Sequence, residues 1–138
     1  MRDSRGIADK LLAAFNSRNP ESVAQLYSPK QVTVLPGMEP IHGREGKAEL
    51  LSGFYRAFPD LTIGLQLVIV SGNHIVCEGT MTGTHTGPLL SHAGEVPPTG
   101  RHMTLPIVYI LTVAEDGLIV ADRTYFDNAT FSAQLGLT

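Results

Sequence analysis

A chain of 138 residues, 43% hydrophobic and 17% charged, suits one soluble domain, expected over residues 1–138. Ten Lys and Arg against thirteen Asp and Glu leave a formal charge of -3, and the scatter of Arg2, Lys10, Arg44, Arg56 and Arg101 argues against nucleic acid as a partner. No stretch approaches the ~20 apolar residues of a membrane span, and Asp3 and Asp9 interrupt any N-terminal targeting core, so a cytoplasmic protein with no membrane partner is expected.

Helices come first. Ile7, Leu11, Leu12 and Phe15 recur at helical spacing behind Ser4 as N-cap. Asn19-Pro20 pairs a cap with a first-turn proline to open a shorter helix, which Pro29 closes. A short strand follows around Val32 to Leu35. Leu50, Leu51, Phe54 and Phe58 then stripe a third helix, running from about Gly43 to the stop at Pro59.

From Leu61 the pattern becomes β: Leu61 to Val70, His74 to Thr86, His102 to Val113 and Leu118 to Asp127. Ser71-Gly72-Asn73 and Glu115-Asp116-Gly117 are turn signals that make antiparallel hairpins of their neighbours. On His74 to Thr86, alternation puts Ile75, Cys77, Gly79, Met81, Gly83 and His85 on one face, read as the inward one. Gly79 and Gly83 remove bulk from that face, so the sheet either curls over an apolar hollow or simply carries β-bulges. Cys77, the sole cysteine, reads as a small buried hydrophobe. Gly87 to Gly100, with three glycines and three prolines, reads as a mobile loop or lid. Leu105, Ile107, Tyr109 and Leu111 on one face and Val108 and Ile110 on the other make the next strand apolar on both sides. Helices can cover only one of these, so a homodimer is expected on the other.

Gly83-Thr84-His85-Thr86-Gly87, Pro97-Pro98-Thr99-Gly100-Arg101, Asp116-Gly117 and Tyr125-Phe126-Asp127 with Gln134-Leu135-Gly136 stand here in order, over nearly the whole chain. In these the chain resembles the SnoaL-like family, which includes polyketide cyclases, within the nuclear transport factor 2-like superfamily. The resemblance implies an α+β fold, a cone-shaped barrel of curved, mostly antiparallel sheet wrapped on N-terminal helices. It also implies intramolecular aldol closure by an aspartate that moves protons in an apolar cavity, with no metal and no cofactor. Matched onto this sequence, that aspartate falls three residues before Asp127, at Thr124, and an assisting histidine falls near Tyr109. Neither residue titrates near neutral pH.

Other residues must then serve any proton transfer. Asp122 shares the face of Thr124 and Phe126, roughly 6.5 to 7 Å away along a strand, with an exposed charge near the hairpin end as its plainer reading. His85 is the leading inward polar group, either orienting a carbonyl or bonding backbone at the turn into the loop. His92 and His102 stand where they can close toward it, without a metal-ligand pattern. His42 and His74 lie beside turns and read as solvated. Tyr109 either donates to a ligand oxygen or fills core. Tyr55 at the cavity mouth, Met81, Met103 and Phe126 are expected to line the site, whereas Phe54, Phe58 and Tyr27 read as core. Asp127 either bonds a neighbouring backbone or Arg123 or caps a final short helix, for which Asn128 competes. The expected ligand is a small apolar carbonyl compound, acted on by a cofactor-independent cyclase, isomerase or lyase, or bound without turnover.

Overall fold

Asp3, not Ser4, caps the first helix: its carboxylate accepts the Gly6 amide at 3.0 Å, and Ser4 is already helical and buried. The computed structural model describes residues 3–91 and 94–137. The elements are α1 (Ser4–Asn16), α2 (Pro20–Ala24), β1 (Tyr27–Val34), β2 (Ile41–His42), α3 (Gly43–Ala57), β3 (Thr62–Ser71), β4 (His74–Thr84), β5 (Leu89–Ser91), β6 (Gly94–Val96), β7 (His102–Val113), β8 (Ile119–Tyr125) and α4 (Asn128–Gln134). The Asn19 side chain caps α2 as expected, accepting the Glu21 and Ser22 amides. Pro29 does not end that helix, which stops at Ala24; it lies inside β1, where the register slips between Tyr27 and Val32.

Six strands form one sheet in the order β2-β1-β8-β7-β4-β3, antiparallel throughout except that β1 runs parallel to β8. The α+β architecture of helices followed by a curved, mostly antiparallel sheet is thus observed, with the sheet open at β2 and β3 rather than closed into a barrel. The two expected hairpins form: Ser71 pairs with His74 across Gly72-Asn73, and β7 joins β8 through the turn at Asp116-Gly117. No helix among the described residues is long and apolar enough to cross a membrane.

The face read as inward is the one the helices cover. Ile75, Cys77, Met103, Leu105 and Leu111 are fully buried with Ala8, Val23 and Phe58 from the helical side. Burying a side chain the size of Phe58 contributes roughly 1.5–3 kcal/mol. The two glycines of β4 admit neighbours instead of leaving a hollow. A Cβ at Gly79 would stand 2.2 Å from the Gly64 carbonyl oxygen, opposite the bulge between Leu65 and Leu67, and one at Gly83 would stand 3.1 Å from Phe58. Open space lies instead over Met81, between them.

Within the stretch expected as a lid, β5 and β6 pair antiparallel, β5 lies against α3, and Arg56 and Glu95 pair at 3.0 Å. Leu90 on it is 82% exposed. On the uncovered face of the sheet, cross-strand rows run Ile69, Val76, Ile110 and Leu67, Glu78, Val108, Tyr125. Ile69 is 49% exposed there.

Candidate functional site

Between α1, α3 and the concave face of the sheet lies a chamber of about 80 Å³. Leu11, Phe15, Leu51, Phe54 and Ile107 give it apolar walls, and the only ionisable groups of opposite charge on its surface, among the described residues, are Asp122 and Lys47. Pockets for drug-sized molecules run about 300–1,000 Å³, so this one suits a small guest, of about one ring.

Alternation along β8 turns Asp122, Thr124 and Phe126 to this side, and all three line the chamber. Asp122 is 4% exposed, not a solvated charge at a hairpin end. Its Oδ2 accepts the Tyr27 hydroxyl at 2.5 Å and the Lys47 ammonium at 3.1 Å, and its Oδ1 accepts the Thr124 hydroxyl at 2.8 Å. A buried carboxylate requires such partners, because taking an unpaired charge out of water costs several kcal/mol. Burial, then the neighbouring Asp122 charge, hold the Tyr27 hydroxyl well above the ordinary tyrosine range, so it remains a proton donor.

Lys47 comes from α3, four residues before Leu51 on the helix's buried stripe, and is 5% exposed. Its Nζ sits 4.4 Å from the centre of the Tyr27 ring and donates to Thr33 Oγ1 at 3.2 Å. The Thr33 hydroxyl donates in turn to Gln31 Oε1 at 2.6 Å, and Gln31 Nε2 donates to the carbonyls of Gly43 at 2.8 Å and Ile41 at 3.3 Å. The backbone at the start of α3 thereby fixes the amide, the amide fixes the hydroxyl, and the hydroxyl turns its lone pair to the ammonium.

Thr124 and Tyr109, the positions where the resemblance puts an aspartate and a histidine, pair directly across β8 and β7, and both line the chamber. Burial first, then the neighbouring Cys77, raise the Tyr109 hydroxyl far above its ordinary range, and burial pushes the Cys77 thiol up to about 11. Neither is an anion at neutral pH. Met81, Phe126, Phe54 and Tyr27 also line the chamber.

The remaining candidates stand elsewhere. Tyr55 does not line the chamber: its hydroxyl donates to the Phe15 carbonyl at 2.7 Å, tying α3 to α1. Met103 is fully buried away from the chamber wall. His85 is fully buried but lies outside the chamber, its ring 5.4 Å from that of Phe58. Its Nδ1 accepts the Thr99 amide at 3.2 Å and lies 3.0 Å from Thr99 Oγ1, while its backbone pairs with Gly100 and Arg101. The imidazole therefore locks both ends of the 87–100 segment together. Burial lowers its pKa, opposed by the Gly87 backbone. His102 bonds Thr84 at the surface, 3.1 Å away, and His92 lies outside the described residues. Asp127 caps α4, accepting the Ala129 amide at 3.1 Å and the Thr130 hydroxyl at 2.7 Å, while Asn128 donates to the Pro36 carbonyl.

Reading the sequence missed Lys47, Thr33 and Gln31. A signal for Lys47 was present, since the stripe of Leu51 and Phe54 extends back by four residues onto it.

Comparison with known proteins agrees with this architecture. The SnoaL-like polyketide cyclase family matches residues 6–135. IdmH from Streptomyces antibioticus, provisionally assigned as a polyketide cyclase, is 30% identical, with 98% of this chain and 99% of that one covered and a TM-score of 0.79. TsrD from Streptomyces laurentii is 25% identical over 98% of this chain and 96% of its own, with a TM-score of 0.81. A protein of Jannaschia sp. CCS1, provisionally assigned as a SnoaL-like polyketide cyclase, shares the fold at 21% identity, 96% and 92% coverage and a TM-score of 0.81. No curated protein matches the sequence.

Proposed function

Because the chain belongs to the SnoaL-like polyketide cyclase family, we propose that it acts without cofactor on a small apolar carbonyl compound held in the chamber, with Asp122 in the role that Thr124 has vacated. The supporting observation is a buried carboxylate on the chamber wall, two residues along the same strand face from the position of the family acid. Asp122 removes a proton from the carbon next to the carbonyl; the C–H pair becomes the C=C bond of an enolate and the carbonyl pair moves onto oxygen. Where the guest is β,γ-unsaturated, the enolate extends into a dienolate that takes the proton back at the γ-carbon, which is isomerisation; where it carries a second carbonyl, the enolate carbon attacks that carbonyl and the new alkoxide takes the proton, which is cyclisation. The apolar walls keep bulk water from quenching the enolate first.

The test is exchange of α-protons. Cyclohexanone in D2O is expected to gain deuterium faster with the protein than without it, followed by NMR, and Asp122→Asn is expected to lower that rate by about 10²–10⁴-fold. A second reading, a binding module, is favoured by Thr124 and by the three donors that already occupy Asp122. Binding of cyclohexanone without any accelerated exchange would select it.

We also propose that a second copy covers the row of Ile69, Val76 and Ile110 on the outer sheet face, since Ile69 is 49% exposed there and Val76 and Ile110 are only half-buried. Light scattering is expected to give a dimer for the wild type and a monomer for Ile110→Glu; a wild-type monomer at micromolar concentration contradicts this.

A further inference from the structure

Charge and donor accounting at the chamber singles out Lys47. Its ammonium carries three N–H groups. Asp122 and Thr33 take two, and the third, beside the face of the Tyr27 ring 4.4 Å away, is free to turn toward an oxygen inside the chamber that Lys47 itself lines. Lys47 and Asp122 sum to zero charge, and no other formally charged side chain lines the chamber among the described residues. A neutral guest keeps that sum at zero. When its proton passes to Asp122, the negative charge moves from the carboxylate to the guest's oxygen and the ammonium stays as its counter-ion, so no step leaves net charge between the apolar walls. A guest that arrives as a carboxylate adds a charge that nothing balances.

We propose that Lys47 is a catalytic residue that stabilises the enolate oxygen, that Gln31 and Thr33 are its positioning residues, and that the chamber accepts neutral compounds with an enolisable carbonyl and rejects carboxylates. This rests on the reading of Asp122 as the base. Gln31 does not line the chamber, yet the direction of every bond from the Gly43 carbonyl through Gln31 and Thr33 to Lys47 is fixed, which holds the ammonium where the oxygen develops charge.

The probe is 4-nitrophenol, one ring with one acidic oxygen, whose phenolate mimics the enolate and absorbs at longer wavelength than the phenol. At a pH where the free probe is protonated, the wild type is expected to bind it with a phenolate band, while cyclohexanecarboxylate fails to displace it. Lys47→Met is expected to bind the probe but lower the bound phenolate-to-phenol ratio by about 10- to 150-fold, with partial recovery in Lys47→Arg. Thr33→Val keeps the ion pair and the side-chain shape, so it decides the matter if Lys47→Met does not fold; it is expected to lower the ratio by about tenfold. A folded Lys47→Met, or failing that Thr33→Val, that keeps the wild-type ratio overturns the role of Lys47 while leaving the chamber as a binding site. Displacement by cyclohexanecarboxylate overturns the charge rule. Absence of any binding to the wild type overturns the chamber reading itself.

Discussion

Asp122 and His85 are both buried, both polar and both on the concave face of one sheet, yet they differ in what faces them. Three side-chain donors from three elements, Tyr27, Lys47 and Thr124, converge on Asp122 beside open space. His85 meets the backbone and hydroxyl of Thr99 and the ring of Phe58, with no chamber against it. A histidine on the inward face of a strand is an attractive acid–base candidate when only the sequence is in view. Inside the fold the two differ in access to a cavity: Asp122 lines the chamber and His85 does not.

The comparison breaks most readily at the ion pair. Lys47→Met, which leaves the buried carboxylate uncompensated, is expected to cost about 3–5 kcal/mol in denaturant unfolding, and adding Asp122→Leu to it is expected to recover a large part of that loss. Additive losses in the double variant would make the pair incidental. Next in size is Thr124→Val, which removes a donor to a charged group and is expected to cost about 1.5–3 kcal/mol while leaving the loop untouched. Thr124→Asp would set a second carboxyl against Asp122 Oδ1 in place of the hydroxyl donor, and cyclisation of a model polyketide by that variant would show an otherwise intact family site.

The His85 side is sharpened by pH. Its pKa is lowered in the folded protein, so the unfolded chain binds the proton more tightly; the stability it contributes is present above about 6.5 and is lost as pH falls below that value toward the folded pKa. Melting temperature is therefore expected to drop between pH 7 and pH 5 by more in the wild type than in His85→Gln, and equal slopes would contradict a loop-locking imidazole. Smallest of all is Arg56→Ala. Its exposed pair with Glu95 is expected to contribute about 0–1 kcal/mol, and a larger loss on unfolding would mean that the β5–β6 hairpin bears more of the fold than its exposure suggests.

How much of this was legible in the sequence follows from the range of the forces involved. The helices, the two hairpins and the inward face of β4 follow from local periodicity and turn residues, and the cap at Asp127 from its place before Asn128. Asp122 was readable as a neighbour of Thr124 on one strand face, but its burial was not, because the partners that permit it lie 95 and 75 residues away in Tyr27 and Lys47. Lys47 was passed over for the reason that lysine is seldom buried without a partner, and no local pattern names the partner. His85 and Tyr55 failed in the opposite sense: alternation and helical spacing gave the right face, while whether that face met a chamber, a loop or a backbone carbonyl was decided by elements distant in the chain. Ser4 yielded the cap to Asp3 by a single residue, the usual scale of error at a helix start.

The most direct measurement is a crystal structure of the protein with 4-nitrophenol. The account predicts the ring against Phe54 and Ile107 and its oxygen within hydrogen-bond distance of Lys47 Nζ and Asp122. A ring bound beside His85 or on the outer sheet face, with the chamber closed by its own side chains, would contradict it.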